Sequence, residues 1–387
     1  MVSRRAVVAL VPSALLAALA VAGDARVDDR PAPSDRVADD AAFAFDLPAG
    51  FPAPRVPPDN PMTTAKVELG RRLFHDPRLS GPGTLACSGC HRPELAYTDG
   101  RAQAVGVAGD LHPRSSMSLA NVAYSATLGW DDPALKRLED QVLVPLVNTH
   151  PVEMGFVGNE AEVLRRLARH RGHAREFRRA FPEDEQPVSL ENVSRALASF
   201  LRTLISGDSP FDRWSRGADV SALSADERAG ARLFFSSRVG CAGCHSGFNL
   251  SGTVDHDGAS PEPPHFHNTG LYDLDGHGAY PALATGAHRL TGRAEDMGAF
   301  RAPTLRNVAL TAPYMHDGSI ATLEEVIDHY AAGGRARRPR TASTESVRDA
   351  ELRGFELTPE ERDQLVAFLH ALTDEEFLLR ATELSKP

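Results

Sequence analysis

Apolar residues recur at helical spacing along much of this chain, whereas strict two-residue alternation is scarce. That pattern predicts a mainly α protein with no sheet of consequence. The stretch from Leu357 to Leu372 is a clear amphipathic run. Helix-start signals accompany such runs: Ser224 with Glu227, Thr322 with Glu325 and Thr358 with Glu361 each read as a capping box. Pro359 then occupies the first helical position, where its missing N–H is no loss. Two further segments look like copies of one another. Val67-Glu68-Leu69-Gly70-Arg71-Arg72-Leu73-Phe74 and Glu227-Arg228-Ala229-Gly230-Ala231-Arg232-Leu233-Phe234 share Gly-x-Arg-Leu-Phe on an amphipathic helix. Such repetition suggests an old duplication. Other stretches lack periodicity: residues 24–60, rich in Pro, Asp and Ala, read as a linker or wrapping arm, and Ser251 to Arg301 is a long irregular connection full of Gly, Pro, His and Asp.

At 387 residues the chain has room for two domains, each with its own core. The acidic balance, 42 Lys and Arg against 52 Asp and Glu, argues against a nucleic-acid partner. The first 22 residues read as a secretory signal: Arg4 and Arg5 precede an apolar stretch from Ala6 to Ala22, and Ala20-Val21-Ala22 offers a small-x-small cleavage site. Pro12 interrupts the stretch and no basic flank follows, which argues against an anchor. Nothing downstream is apolar for long enough to span a bilayer. The mature protein is expected in the periplasm.

All four cysteines fall in two copies of Cys-x-x-Cys-His: Cys87-Ser88-Gly89-Cys90-His91 and Cys241-Ala242-Gly243-Cys244-His245. Such a pentad attaches a c-type haem. Its two thiols form thioethers, and the adjoining histidine, His91 or His245, is placed to bind the iron. A disulfide, a thioredoxin-like dithiol or a zinc site would not explain two copies, each followed directly by His, with no cysteine left over. Each copy also follows one copy of Gly-x-Arg-Leu-Phe. Two covalent haem c groups are therefore expected, in two c-type cytochrome-like domains with long connecting loops. The chain would divide into a signal peptide (1–22), an arm (23–60), an N-terminal haem domain (61–205) and a C-terminal haem domain (206–387).

Beyond these motifs stand Arg301-Ala302-Pro303-Thr304-Leu305-Arg306-Asn307-Val308, Ala312-Pro313-Tyr314-Met315-His316-Asp317-Gly318 and Leu357-Thr358-Pro359-Glu360-Glu361. With them, the chain resembles the bacterial di-haem peroxidase superfamily, which holds the cytochrome c peroxidases and the MauG-type protein-modifying enzymes. The resemblance runs from about Pro61 to Leu378. Ser118 to Tyr124, Pro151 to Gly155, Phe266 to Tyr272 and Glu295 to Gly298 resemble more narrowly the MbnH-like di-haem enzymes. These occur with a small secreted copper-binding partner, MbnP-like, in which a tryptophan is oxidised to kynurenine.

The resemblance implies roles for particular residues. The other axial ligand of the second haem comes from fourteen residues after His316, which is Tyr330; cytochrome c peroxidases carry methionine there. A thioether favours reduced iron, whereas a phenolate stabilises oxidised and high-valent states. Met315 and Met297 are the competing ligands. Gln141, Pro145 and Glu153 match the residues lining the peroxide-binding face of the first haem, with Glu153 to move a proton. His150 and Thr149 are additions to the family pattern beside that face. Trp130 matches the tryptophan that relays charge between haems, whereas Trp214 reads as structural. A calcium ion is common in the superfamily; Thr311 and Pro313 match its carbonyl positions, but Ser115 stands where an Asn is usual.

The expectation is an enzyme that uses hydrogen peroxide to form a high-valent di-haem state and oxidises a partner protein's side chain at a distance. The partner expected is the small secreted copper-binding protein. The alternatives are a conventional cytochrome c peroxidase fed by a small cytochrome or cupredoxin, and a non-catalytic di-haem carrier.

Overall fold

The computed structural model describes residues 43–260, 262–275, 278–335 and 352–385. The expected signal segment lies outside them. Among the described residues the chain is mainly helical. In the N-terminal half run α1 (Thr64–His75), α2 (Cys87–Cys90), α3 (Leu138–Gln141), α4 (Leu143–Val147), α5 (Glu160–Arg169), α6 (Arg171–Ala180) and α7 (Leu190–Leu201). There follow α8 (Pro210–Ser215), α9 (Ala225–Phe234), α10 (His288–Thr291), α11 (Leu323–Ala331), α12 (Pro359–His370) and α13 (Glu375–Leu384). One antiparallel ribbon pairs β1 (Phe266–Asn268) with β2 (Ala299–Arg301), with His267 opposite Phe300. No described helix is long and apolar enough to cross a membrane.

The repeated Gly-x-Arg-Leu-Phe has a packing reason. α1 lies against α7, and a Cβ on Gly70 would sit 1.9 Å from the Ala196 carbonyl oxygen. α9 lies against α12, and a Cβ on Gly230 would sit 1.9 Å from the Gln364 carbonyl oxygen. Only glycine permits either approach. The phenylalanine ending each copy meets its equivalent partner: Phe74 and Phe200 have centroids 5.3 Å apart, Phe234 and Phe368 5.1 Å. Each helix pair anchors its own cluster, one containing Leu69, Leu73, Val193 and Leu197, the other Leu250, Ile327, Leu365 and Leu369. The closing helix α13 returns to the first cluster through Phe377 and Ala381, across the division expected at residue 205.

The repetition extends beyond the pentads and their leading helices. Leu119-Ala120-Asn121-Val122-Ala123 and Leu305-Arg306-Asn307-Val308-Ala309 place Asn121 and Asn307 in the left-handed region, at φ 57° and 60°. Both are fully buried and both bond to Ser206: Asn121 accepts from its backbone N–H at 2.7 Å, and Asn307 Nδ2 donates to its hydroxyl at 3.0 Å.

Ser224 with Glu227 and Thr358 with Glu361 form complete reciprocal capping boxes. Thr322 differs: it accepts from the Glu325 N–H, but the Glu325 carboxylate reaches one residue past the cap to the Ala321 N–H. The described part of the arm wraps the protein. Phe51 sits edge-on to Tyr124 and Phe248, Arg55 pairs with Asp255, and buried Asn60 donates to Glu139.

Candidate functional site

α1 leads through a short turn into the first pentad, where α2 carries Cys87 and Cys90 and ends at His91. The His91 Nδ1–H donates to the Tyr97 carbonyl at 2.9 Å. A carbonyl only accepts, so this bond leaves the lone pair on Nε2 for a metal. Burial pushes the His91 imidazole down, against the Tyr97 carbonyl and the Asp99 and Glu153 carboxylates, which work to raise it. Burial also pushes Cys87 up to about 12 and Cys90 to about 11, so both remain neutral thiols.

The second pentad repeats the arrangement. The His245 Nδ1–H donates to the Pro303 carbonyl at 3.1 Å, and burial pushes the imidazole down to about 4. Cys241, His245 and Cys244 line a cavity of about 270 Å³ that also reaches Trp130, Arg301, Met315, His316 and Tyr330. Tyr330 comes from the last turn of α11, eighty-five residues beyond His245, and burial pushes its phenol well above the ordinary range. Its hydroxyl makes no hydrogen bond with a described residue.

Two groups in this cavity lack a partner of the kind their burial demands. Arg301 is a guanidinium bonded to neutral acceptors alone: the Gly129 carbonyl at 3.0 Å, the Ser125 hydroxyl at 3.2 Å and the Met117 sulfur at 3.4 Å. Burial lowers it to about 10. A half-buried cation whose partners among the described residues are all neutral is costly unless a bound anion completes it. His316 stacks on Phe300 at 3.7 Å, and its buried Nε2 has no hydrogen-bond partner. The donor set, the two carbonyl-oriented imidazoles and the unpaired Arg301 fit a covalently held haem with its carboxylates.

The other expected residues sit on the first pentad's side. Gln141 ends α3 with its Oε1 buried and unpartnered, 3.8 Å from where a Cβ on Gly129 would lie. Pro145 lies in α4 and its carbonyl accepts from Met154, the residue after Glu153. Glu153 accepts from Asn148 Nδ2 at 3.2 Å, and its charge is felt at both Cys90 and His91. Trp130 lies between the two sets: its indole N–H donates to the Ser115 carbonyl, its own carbonyl accepts from Arg301, and Gly129 beside it faces Gln141.

His150 is exposed and bonded to Thr149, the residue before it. Ser115, Thr311 and Pro313 line the same cavity as His245, with the Ser115 hydroxyl committed to the Met315 carbonyl. Trp214 lies in α8 beside Phe211.

Sequence reasoning missed His112. Its Nδ1 accepts from the Arg114 N–H at 3.2 Å, so its Nε2 carries the proton, and Nε2 lies 3.8 Å from Glu153 Oε1. A lone loop histidine forty-one residues from its partner carries no periodic or spacing signal. Arg301 stood in a quoted motif, but its lack of a carboxylate is visible only in three dimensions.

A family model described as di-haem cytochrome c peroxidase matches residues 64–220. The methylamine utilization protein MauG of Methylorubrum extorquens is 39% identical over 334 residues, covering 86% of this chain and 84% of that protein. The cytochrome c551 peroxidase of Pseudomonas aeruginosa is 33% identical over 313 residues, covering 81% and 80% respectively. A crystal structure of a MauG-like protein associated with microbial copper homeostasis is similar with a TM-score of 0.83 and 45% identity, over 87% of this chain and 97% of that one.

Proposed function

This chain belongs to the di-haem cytochrome c peroxidase and MauG family, and from that premise we propose that it uses hydrogen peroxide to draw electrons from a side chain of a partner protein. Its enzyme class is that of its relatives, a hydrogen peroxide-dependent di-haem oxidoreductase. The finer reading is a periplasmic enzyme that oxidises a tryptophan, to kynurenine, on a small secreted copper-binding protein. The similarity to a MauG-like protein associated with microbial copper homeostasis supports that choice of partner.

When bound, the two haems supply the reduction of peroxide and the storage of its two oxidising equivalents. Cys87 and Cys90 in a first lobe, and Cys241 and Cys244 in a second, would hold them by thioethers, while neutral His91 and His245 would offer Nε2 to the irons. Glu153 exchanges protons with peroxide, and Gln141 orients it beside Pro145. Trp130 relays charge between the two sides. Arg301 and His316, which line the cavity beside His245, would meet the carboxylates of a haem held there.

One observation carries the reading: Tyr330 lines the same cavity as His245, with its hydroxyl uncommitted. A phenolic oxygen there suits an oxidised centre, not an electron store. The test compares absorption spectra of the purified holoprotein, before and after peroxide, with those of Tyr330→Met. The wild type should give a long-lived peroxide-oxidised spectrum, and the variant should lose it. Survival of that spectrum in the variant would remove Tyr330 from the mechanism. Met315 lines the cavity as well and favours the second reading, a cytochrome c peroxidase fed by a small donor, in which Met315→Leu and not Tyr330→Met changes the ferric spectrum.

A further inference from the structure

The half-exposed phenol of Tyr272 donates a hydrogen bond to the Asp317 carboxylate. Neither residue has a part in the scheme above, and they come from loops forty-five residues apart. The Tyr272 ring lies 6.5 Å from His316, whose imidazole is stacked at 3.7 Å on Phe300. His316 and Phe300 both line the cavity that holds His245 and Tyr330. Tyr280 packs at 5.5 Å on one side of Tyr272, and the Arg335 guanidinium stands 5.9 Å from its ring centre. A row of rings thus runs from that cavity to a half-buried, oxidisable side chain.

A phenol that loses an electron becomes a strong acid, so its oxidation is easy only where a base takes the proton at once. A carboxylate already within hydrogen-bond reach is such a base. The Asp317 carboxylate accepts from the Ser319 N–H at 3.0 Å as well as from the Tyr272 hydroxyl, and donors aimed at a carboxylate favour its ionised form. The same bond pushes Tyr272 up, after burial, to about 12, so its proton stays on until an electron leaves.

We propose that Tyr272 and Asp317 form a proton-coupled redox relay through which oxidising equivalents leave the cavity of His245 and Tyr330 for the partner protein. The proposal rests on the peroxide-driven reading above. In the outward step, the Tyr272 O–H bond breaks and its proton bonds to Asp317. One electron passes to the peroxide-oxidised cofactor pair, which is reduced by one, and a neutral phenoxyl radical remains. In the return step, the partner's side chain gives up one electron, and the proton goes back from Asp317 to the phenol oxygen. Two such passes supply the two electrons that one peroxide takes up, and with two protons from solvent it ends as two waters.

The test mixes holoprotein with hydrogen peroxide in the absence of partner and follows the haem absorbance and the freeze-quenched electron paramagnetic resonance spectrum together. Wild type should give a tyrosyl radical signal as the peroxide-oxidised absorbance decays. Tyr272→Phe keeps the ring and should lose the signal. Asp317→Asn keeps the shape without the base and should slow radical appearance about a hundredfold, the low end for a positioned base. An undiminished tyrosyl signal in Tyr272→Phe, or an unchanged rate in Asp317→Asn, overturns the relay and leaves the peroxide reading standing. Wild-type absorbance that does not respond to peroxide overturns both.

Discussion

Replacing Gly230 with alanine asks whether the helix pair under the second pentad meets as closely as the structure has it. The new Cβ would lie 1.9 Å from the Gln364 carbonyl oxygen, 2.6 Å from its carbon and 2.8 Å from Phe368 Cβ. Ordinary contact needs roughly 3.2 Å or more, so α9 and α12 must part by over an ångström in a tightly packed core. The obstacle is backbone, which has no rotamer to escape into. Overpacking of this kind costs about 1–3 kcal/mol and sometimes more, and relief of the glycine's own penalty returns only about 0.5–1 kcal/mol. A net loss of about 1–2 kcal/mol is expected, or roughly 2–8 °C in Tm on the scale of larger domains. Chemical denaturation of the holoprotein, followed by tryptophan fluorescence and haem absorbance, reads it. Gly70→Ala should lose a similar amount, because its Cβ meets the Ala196 carbonyl oxygen at the same 1.9 Å. A variant as stable as wild type would refute the close approach, and a loss confined to one of the pair would refute the equivalence of the two halves.

Two further outcomes follow from named contacts. Glu153→Gln removes a proton-exchanging group and should slow the reaction with peroxide by about 10²–10⁴-fold, read by stopped-flow absorbance, with the resting spectrum unchanged. Asp76 bears on acid stability: burial works to raise it, but His173 at 2.5 Å and Arg78 outweigh that and hold it at about 2. A carboxyl lowered on folding stabilises above its unfolded pKa, and that contribution is lost as pH falls through its folded value. Asp76→Asn should therefore cost about 2 kcal/mol at pH 7 and progressively less below roughly pH 4; a penalty independent of pH would contradict the assignment.

Much of the site was legible because its chemistry is local. Cys-x-x-Cys-His puts two thiols and an imidazole within a single turn, and Gly-x-Arg-Leu-Phe marks a helix that must meet another at close range. The second repeat, around Asn121 and Asn307, was also present in the letters as Leu-x-Asn-Val-Ala. It went unread because an asparagine in a left-handed turn has no hydrophobic period to announce it.

What the sequence by itself determined was the helical class, the duplicated pentads and the identity of the thiols and imidazoles, since these depend on neighbours a few residues apart. Only the tertiary structure decided that Tyr330 shares a cavity with His245, that His112 faces Glu153, that Arg301 has only neutral partners among the described residues and that Tyr272 meets Asp317. Those juxtapositions join residues 41 to 184 positions apart in the chain. They are set by how two glycine-seated helix pairs and their long loops pack together, a consequence of burial shared across the whole core that no local spacing encodes.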